Sequence, residues 1–319
     1  MTKNISMAKI PGIKIGHAQN DAAMTGCTVI LCEDGAVAGF DLRGSAPGTR
    51  ETELLRPGFL VEKINGVLLT GGSAFGLDAA AGVVNFLEER QKGYNAGGFY
   101  VPIVPAAVIF DLHSGDGTIR PDKKMGYQAC ENATDRSIDC GSVGVGSGAT
   151  VGKIAGNEFA MAGGLGYAVE TLLNGLIISA VVVVNSLGDV IDPGTGEIVA
   201  GAVSPAGEFL DSVAVMKKMQ SQSPLKQQNT TLAVVMTNGS LNKVQVNKVA
   251  QMAQNGLART IRPVHTMYDG DLVFALSSGD KPVDVNVAGE VAAECVSQAI
   301  LSAVTIGNQK ERVKLSKSF

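Results

Sequence analysis

The chain has 319 residues, 45% hydrophobic and 18% charged, with a formal net charge of -4. This is enough apolar chain over residues 1–319 to bury a large core, as one large domain or two intimate ones, with no need of disulfide or metal support. With 5% aromatic residues, no Trp and a weakly negative balance, the composition excludes an aromatic nucleic-acid platform and a polyanionic partner.

The opening Met1-Thr2-Lys3-Asn4-Ile5-Ser6 is polar and runs into Pro11-Gly12, without the apolar core of a secretory signal. A cytoplasmic location is therefore expected. The apolar stretch Ile177 to Val184 is far shorter than the roughly 20 residues of a membrane helix, so no membrane partner is expected. The five cysteines, Cys27, Cys32, Cys130, Cys140 and Cys295, form no CxxC pair and read as buried free thiols. His17, His113 and His265 are widely separated and show no metal-ligand spacing, so neither a metal nor a cofactor is expected.

In chain order, Gly26 to Cys32 reads as a buried strand, with Glu33-Asp34-Gly35 as hairpin turn chemistry before Ala36 to Phe40 returns. Val67 to Thr70 is a short strand ended by Gly71-Gly72. Ser73 then caps a helix reaching Arg90, with Leu77, Ala80, Val84 and Leu87 on one face. Ala149–Ile154 and Phe159–Ala168 are strand candidates, and Ile177–Asn185, with four consecutive valines, belongs at the centre of a sheet. Glu208–Met219 has helical spacing. Ser221 to Asn229 is polar, contains Pro224, and reads as a surface linker. It runs directly into Thr230 to Thr237, a β-branched inner strand, followed by a helix from Ser240 to about Leu257. Thr266–Leu276 reads as a strand pair around Asp269-Gly270-Asp271, and Val287–Ala303 as the last helix. Strands and helices mix without strict alternation, which favours buried sheets between helix layers.

Two familiar motifs fail. Gly71-Gly72-Ser73-Ala74-Phe75-Gly76 places its last glycine one position too late for a nucleophile elbow. The glycine-rich Gly141 to Lys153 has Ser147 where a phosphate loop needs glycine, and Ile154 where it needs a hydroxyl. More informative is Asn229-Thr230-Thr231 at the junction of linker and strand, where a hydroxyl stands next to its own upstream carbonyl. Attack there followed by hydrolysis would free the Thr230 α-amine. With a reference pKa of about 7.7–8.0, such an amine can take the hydroxyl proton of its own residue, so nucleophile and base come from one residue.

Across nearly its whole length the sequence resembles the DmpA-like aminopeptidase family, which includes the L-aminopeptidase/D-esterases, the β-peptidyl aminopeptidases and the nylon-oligomer hydrolases. The resemblance is carried by Pro11 to His17, Gly71 to Ala80, Val104 to Asp111, Gly146 to Lys153, Asn229 to Asn238 and His265 to Asp271. It implies an α/β (α+β) fold of the N-terminal-nucleophile type, a four-layer αββα sandwich formed from two autocleaved fragments, residues 1–229 and 230–319. By the same resemblance Thr230 is the nucleophile, and Asp269 and Asp271 match an acidic pair in which one carboxyl holds or passes a proton. On a strand, positions i and i+2 would put both on one face. Lys153 matches a cation beside the amine, and Asn185 an amide that donates to the oxyanion.

Where several family members have a Tyr, this chain has Phe110, leaving Tyr127, Tyr268 or the backbone N–H groups near Gly72 and Ser73 to replace its hydroxyl. The function implied is hydrolysis of amide bonds in small peptides, amino-acid amides or ω-amino-acid oligomers by a homo-oligomer, a tetramer or larger. The alternatives are acyl transfer of the ornithine-acetyltransferase kind, or a binding scaffold that never cleaves.

Overall fold

A computed structural model describes residues 1–219 and 228–308, and its framework follows from strand alternation. The strands that carry the fold are β1 (Thr2–Ser6), β2 (Ile13–Asn20), β3 (Thr25–Leu42), β4 (Lys63–Thr70), β5 (Ala106–Val108), β6 (Ser137–Gly141), β7 (Gly164–Thr171), β8 (Ile177–Asn185), β9 (Thr230–Gly239) and β10 (Leu272–Lys281). They hydrogen-bond in the order β1-β6-β7-β8-β9-β10-β3-β4-β5, with Thr49–Arg50 beyond β5 and β2 also paired to β3. Neighbours are antiparallel except β9–β10 and β4–β5. The parallel β9–β10 pair requires a crossover connection, and a helix at Lys243–Thr260 supplies it.

Although the pairing is continuous, the strands form two stacked layers, because the 18-residue β3 passes from one to the other. Its first half pairs with β2 and β4, and Val37–Leu42 pair with β10. Side chains then sort by parity. Val181 and Val183 of β8, Leu232, Val234 and Met236 of β9, and Ile30 and Cys32 of β3 share a core between the layers. Val182 and Val184, Ala233 and Val235 face the opposite way, into a core closed by helices α4 (Lys243–Thr260) and α5 (Val285–Gly307). Cys27, Val29 and Leu31 point to the other outer face, against α1 (Ala79–Glu88) and α2 (Lys123–Glu131). The architecture is the αββα sandwich that the family resemblance implies.

Several local expectations change. Glu33-Asp34-Gly35 is not a hairpin turn: β3 runs through it with a register shift against β4 between Leu31 and Ala36, and Gly35 takes φ +89° to absorb the bend. Ser73 does not cap a helix. It lies in the left-handed region and opens a tight 3-10 segment, Ser73–Asp78, and α1 starts only at Ala79. Only Thr150–Val151 of the proposed strand 149–154 is extended, and the helix expected over 208–219 is limited to α3 (Ser212–Lys218). Asp269 and Asp271 occupy the loop before β10 rather than a strand pair. Most of the expected linker, Ser221–Gln227, lies outside the described residues; its last residue, Asn229, is buried rather than at the surface.

By length and composition, the 23-residue α5 could cross a membrane, which the apolar-run count did not register; 67% of its most apolar stretch is buried inside the protein. Gly166 of β7 sits directly beneath it, and a β-carbon there would meet the Ala299 carbonyl. Gly166→Ala is therefore expected to destabilise the fold by about 1–3 kcal/mol through overpacking, read as a lower urea midpoint with an unchanged slope.

Candidate active site

Register brings the first two residues together. Asn185, the last residue of β8, pairs across the antiparallel ladder with Thr230, the first of β9. By parity with Val183 and Leu232, both side chains face the space between the two strand layers, at its end. Thr230 is 5% exposed and its Oγ1 lies 2.5 Å from the carbonyl oxygen of Asn229.

Lys153 reaches the same strand end from the tight turn Lys153–Ala155. The preceding Gly152 has φ +75°, and a β-carbon there would collide with the Ala202 backbone nitrogen, so glycine lets this turn press against the 201–202 segment. The buried Lys153 ammonium donates to the Asn185 carbonyl at 2.9 Å, to Asn185 Oδ1 at 2.7 Å and to the Thr150 carbonyl at 3.1 Å. Burial pulls its pKa down to about 7, against the opposing pull of Asp269 and Asp111. Asn185 Oδ1 also accepts from Thr150 N–H at 3.1 Å, and its Nδ2 donates to the Phe110 carbonyl at 3.0 Å. The amide is thus oriented from both ends.

The Asp269-Gly270-Asp271 loop closes over Thr230. Asn229 N–H donates to the Tyr268 carbonyl at 2.9 Å, and Gly270 N–H donates to the Asn229 carbonyl at 2.8 Å. The Asp269 carboxylate accepts from both the N–H and the hydroxyl of Thr266, each at 2.7 Å. Asp271 accepts from Thr231 N–H at 2.7 Å through Oδ1, and through Oδ2 from His265 N–H at 3.1 Å and its Nδ1 at 2.9 Å. Burial, and then the charge of Asp271, raise the Asp269 pKa to about 6. The two carboxylates therefore differ: one is placed to carry a proton near neutrality, and the other is held by two backbone N–H groups and an imidazole.

Five of the residues expected from sequence, Thr230, Asp269, Asp271, Asn185 and Lys153, converge here. Gly72 and Ser73 do not offer their N–H groups to it: Gly72 N–H goes to Asp111 at 2.7 Å and Ser73 N–H to the Ile109 carbonyl at 3.0 Å. The Tyr127 hydroxyl bonds Glu89 at 2.6 Å on the α1–α2 face, and Tyr268 contributes its backbone carbonyl while packing beside Ile154 and Leu187. The Phe110 ring stands edge-on to His113, 5.2 Å between centroids. With Met24, Thr150, Lys153 and Gln228, these two rings line a cavity of about 230 Å³.

Sequence reasoning missed His265 and Thr266 as holders of the carboxylates, and Asp111 as the buried group that accepts from Thr25 and Gly72. Thr266-x-x-Asp269 has the spacing of a capping turn, a signal that was available. Nothing in the spacing of His265 set it apart from the other two histidines.

The layered fold is shared with solved structures. A β-aminopeptidase of a Burkholderia species superposes with TM-score 0.65 at 20% identity, covering 92% of this chain and 84% of that one. An L-aminopeptidase D-Ala-esterase/amidase from Ochrobactrum anthropi, described as a variant of the Ntn hydrolase fold, gives TM-score 0.68 at 19% identity with the same coverages. The chain is thus of the Ntn hydrolase fold class.

Within that class the chain belongs to peptidase family S58, whose family model matches residues 6–315. It is 43% identical to an uncharacterized aminopeptidase of Mycobacterium leprae, covering 94% of this chain and 90% of that protein. It is also 31% identical to a 6-aminohexanoate-oligomer endohydrolase of a Kocuria species, covering 92% and 84%. The protein is therefore an enzyme of the peptidase class, a hydrolase.

The Asp269 shift has a consequence for stability. Because its pKa is near 6 folded and 3.8 unfolded, the folded state holds the extra proton between those values. This carboxyl therefore makes stability fall as pH rises from about 4 to about 6. Asp269→Asn is expected to remove that component, seen as a wild-type minus variant difference that declines over this window in urea titrations.

Proposed function

We propose that this protein is a self-processing N-terminal-nucleophile amidohydrolase in which Thr230 cuts the chain after Asn229 and then acts as the nucleophile on substrate. The observation that carries the reading is the packing of the Thr230 hydroxyl on the Asn229 carbonyl at a buried strand entrance, with the acidic loop over it and Lys153 behind Asn185. The hydroxyl adds to the carbonyl carbon, and Asp269 takes the hydroxyl proton. Collapse transfers the Asn229 acyl group from nitrogen to oxygen, and water releases residues 1–229 from 230–319.

The α-amine so created sits on the nucleophile's own residue and serves as base for the next hydroxyl attack, now on a substrate amide. The Lys153 charge disfavours protonation of that amine, and Lys153 and Asn185 fix the strand end opposite it. The substrate class we propose is small peptides, amino-acid amides or ω-amino-acid oligomers, supported by the names of the relatives. The cavity beside Phe110, Lys153 and Gln228 is the proposed place for the acyl portion. We also propose that the processed units assemble as homo-oligomers.

Denaturing electrophoresis and intact mass of purified wild type should show two fragments split after Asn229. Thr230→Ala should remain one full-length chain with no amidase activity, and Thr230→Ser should still process. Self-cleavage should slow below about pH 6, where Asp269 becomes protonated and stops accepting. A single intact chain in aged wild-type protein would dismiss the reading.

A further inference from the structure

We infer that the backbone N–H of Gly270 is the oxyanion donor of the self-cleavage step. The inference rests on the Thr230 reading above and assigns the group that stabilises the charge formed in it. Gly270 N–H already donates, at 2.8 Å, to the carbonyl oxygen of Asn229, and Thr230 Oγ1 is 2.5 Å from that same oxygen. The donor is thus already bonded to the atom that becomes negative when the hydroxyl attacks.

The geometry is held from three sides. Asn229 is fixed at its other end by its own N–H on the Tyr268 carbonyl at 2.9 Å, and it pairs with Asp269 as an isolated parallel bridge. Behind the loop, Ala46 N–H donates to the Asp269 carbonyl at 2.9 Å, and Gly44 N–H to the Asp271 carbonyl at 3.1 Å. The backbone donors expected from sequence are committed elsewhere, the Gly72 and Ser73 N–H groups to Asp111 and Ile109, and Asn185 Nδ2 spends one of its two N–H bonds on the Phe110 carbonyl. The identity of residue 270 fits the same role. A β-carbon there would stand 2.8 Å from Thr230 Oγ1 and 2.9 Å from the Ala46 carbonyl oxygen, so a larger residue would push on the nucleophile while presenting the same N–H.

The step balances as follows. The Thr230 oxygen bonds to the Asn229 carbonyl carbon as its proton passes to the Asp269 carboxylate, and the carbonyl electron pair moves onto oxygen, against Gly270 N–H. The tetrahedral species collapses by breaking the bond to the Thr230 nitrogen, which receives that proton. Water then adds to the resulting ester, giving the Asn229 carboxylate, the Thr230 hydroxyl and its free amine.

Full-length wild type, Gly270→Pro, Gly270→Ala and Thr230→Ala are made by cell-free synthesis, and cleavage is followed over time by intact mass. Proline removes the N–H and should slow cleavage by about 100- to 1000-fold, the usual cost of one oxyanion donor. Alanine keeps the N–H and should slow it less. Cleavage of the proline variant within a few-fold of wild type, or equal slowing by alanine and proline, would overturn the inference. Should Gly270→Pro fail to fold in thermal melts, hydrogen exchange on uncleaved Thr230→Ala decides: a protected Gly270 amide supports the bond, and exchange at the unstructured rate refutes it. Failure of the wild type to cleave sinks the Thr230 reading instead.

Discussion

The site depends on how residue 229 is seated. Its N–H and C=O are both taken by the backbone of the loop 268–270, and the next residue enters β9 in register with Asn185 at the end of β8. One peptide group is thereby held between a loop and a strand edge, with the hydroxyl of Thr230 on its carbonyl side. Backbone hydrogen bonds in a water-poor site resist displacement more than side-chain contacts do, because breaking one leaves buried donors and acceptors unpaired. The arrangement is rigid, as the proposed attack on this peptide group requires.

Around that peptide group the charged side chains of Lys153, Asp269 and Asp271 are each hydrogen-bonded. The Lys153 ammonium gives its protons to three oxygens, Asp271 has two backbone donors and the His265 ring, and Asp269 has both polar groups of Thr266. Burial raises Asp269 and lowers Lys153 toward each other, to about 6 and about 7. Both values lie near neutrality, the range in which general acid–base groups work best. Asp111, held by Thr25 and Gly72, contributes from the far side of Lys153 by opposing the loss of its charge.

The strands whose composition is strongly β-branched were legible in the sequence. Ile177–Asn185 has the bounds read from its valines, and Thr230 begins β9 where the polar run gives way to β-branched residues. The errors fall where local signals compete with long-range pairing. Glu33-Asp34-Gly35 has turn chemistry, yet strands on both sides capture the chain and carry it straight through a bend. The Asp269/Asp271 pair has strand spacing, but hydrogen bonds donated to it by Thr266, His265, Arg43, Gly44 and Ala46 hold that segment as a loop.

By itself the sequence pattern determined buried sheets between helix layers and the polar-to-β-branched junction at Asn229-Thr230, because apolar periodicity and turn chemistry are local properties of the chain; the αββα class and the grouping of Thr230 with Asp269, Asp271, Asn185 and Lys153 came from the family resemblance. Tertiary structure alone decided which atoms face the Asn229 carbonyl. The Asn185–Thr230 register, the commitment of the Gly72 and Ser73 N–H groups elsewhere, the His265–Asp271 bond and the Gly270 donor all join segments far apart in sequence or depend on loop backbone direction. Side-chain identity does not encode where an amide N–H points; only the packed strands and the loop between them do.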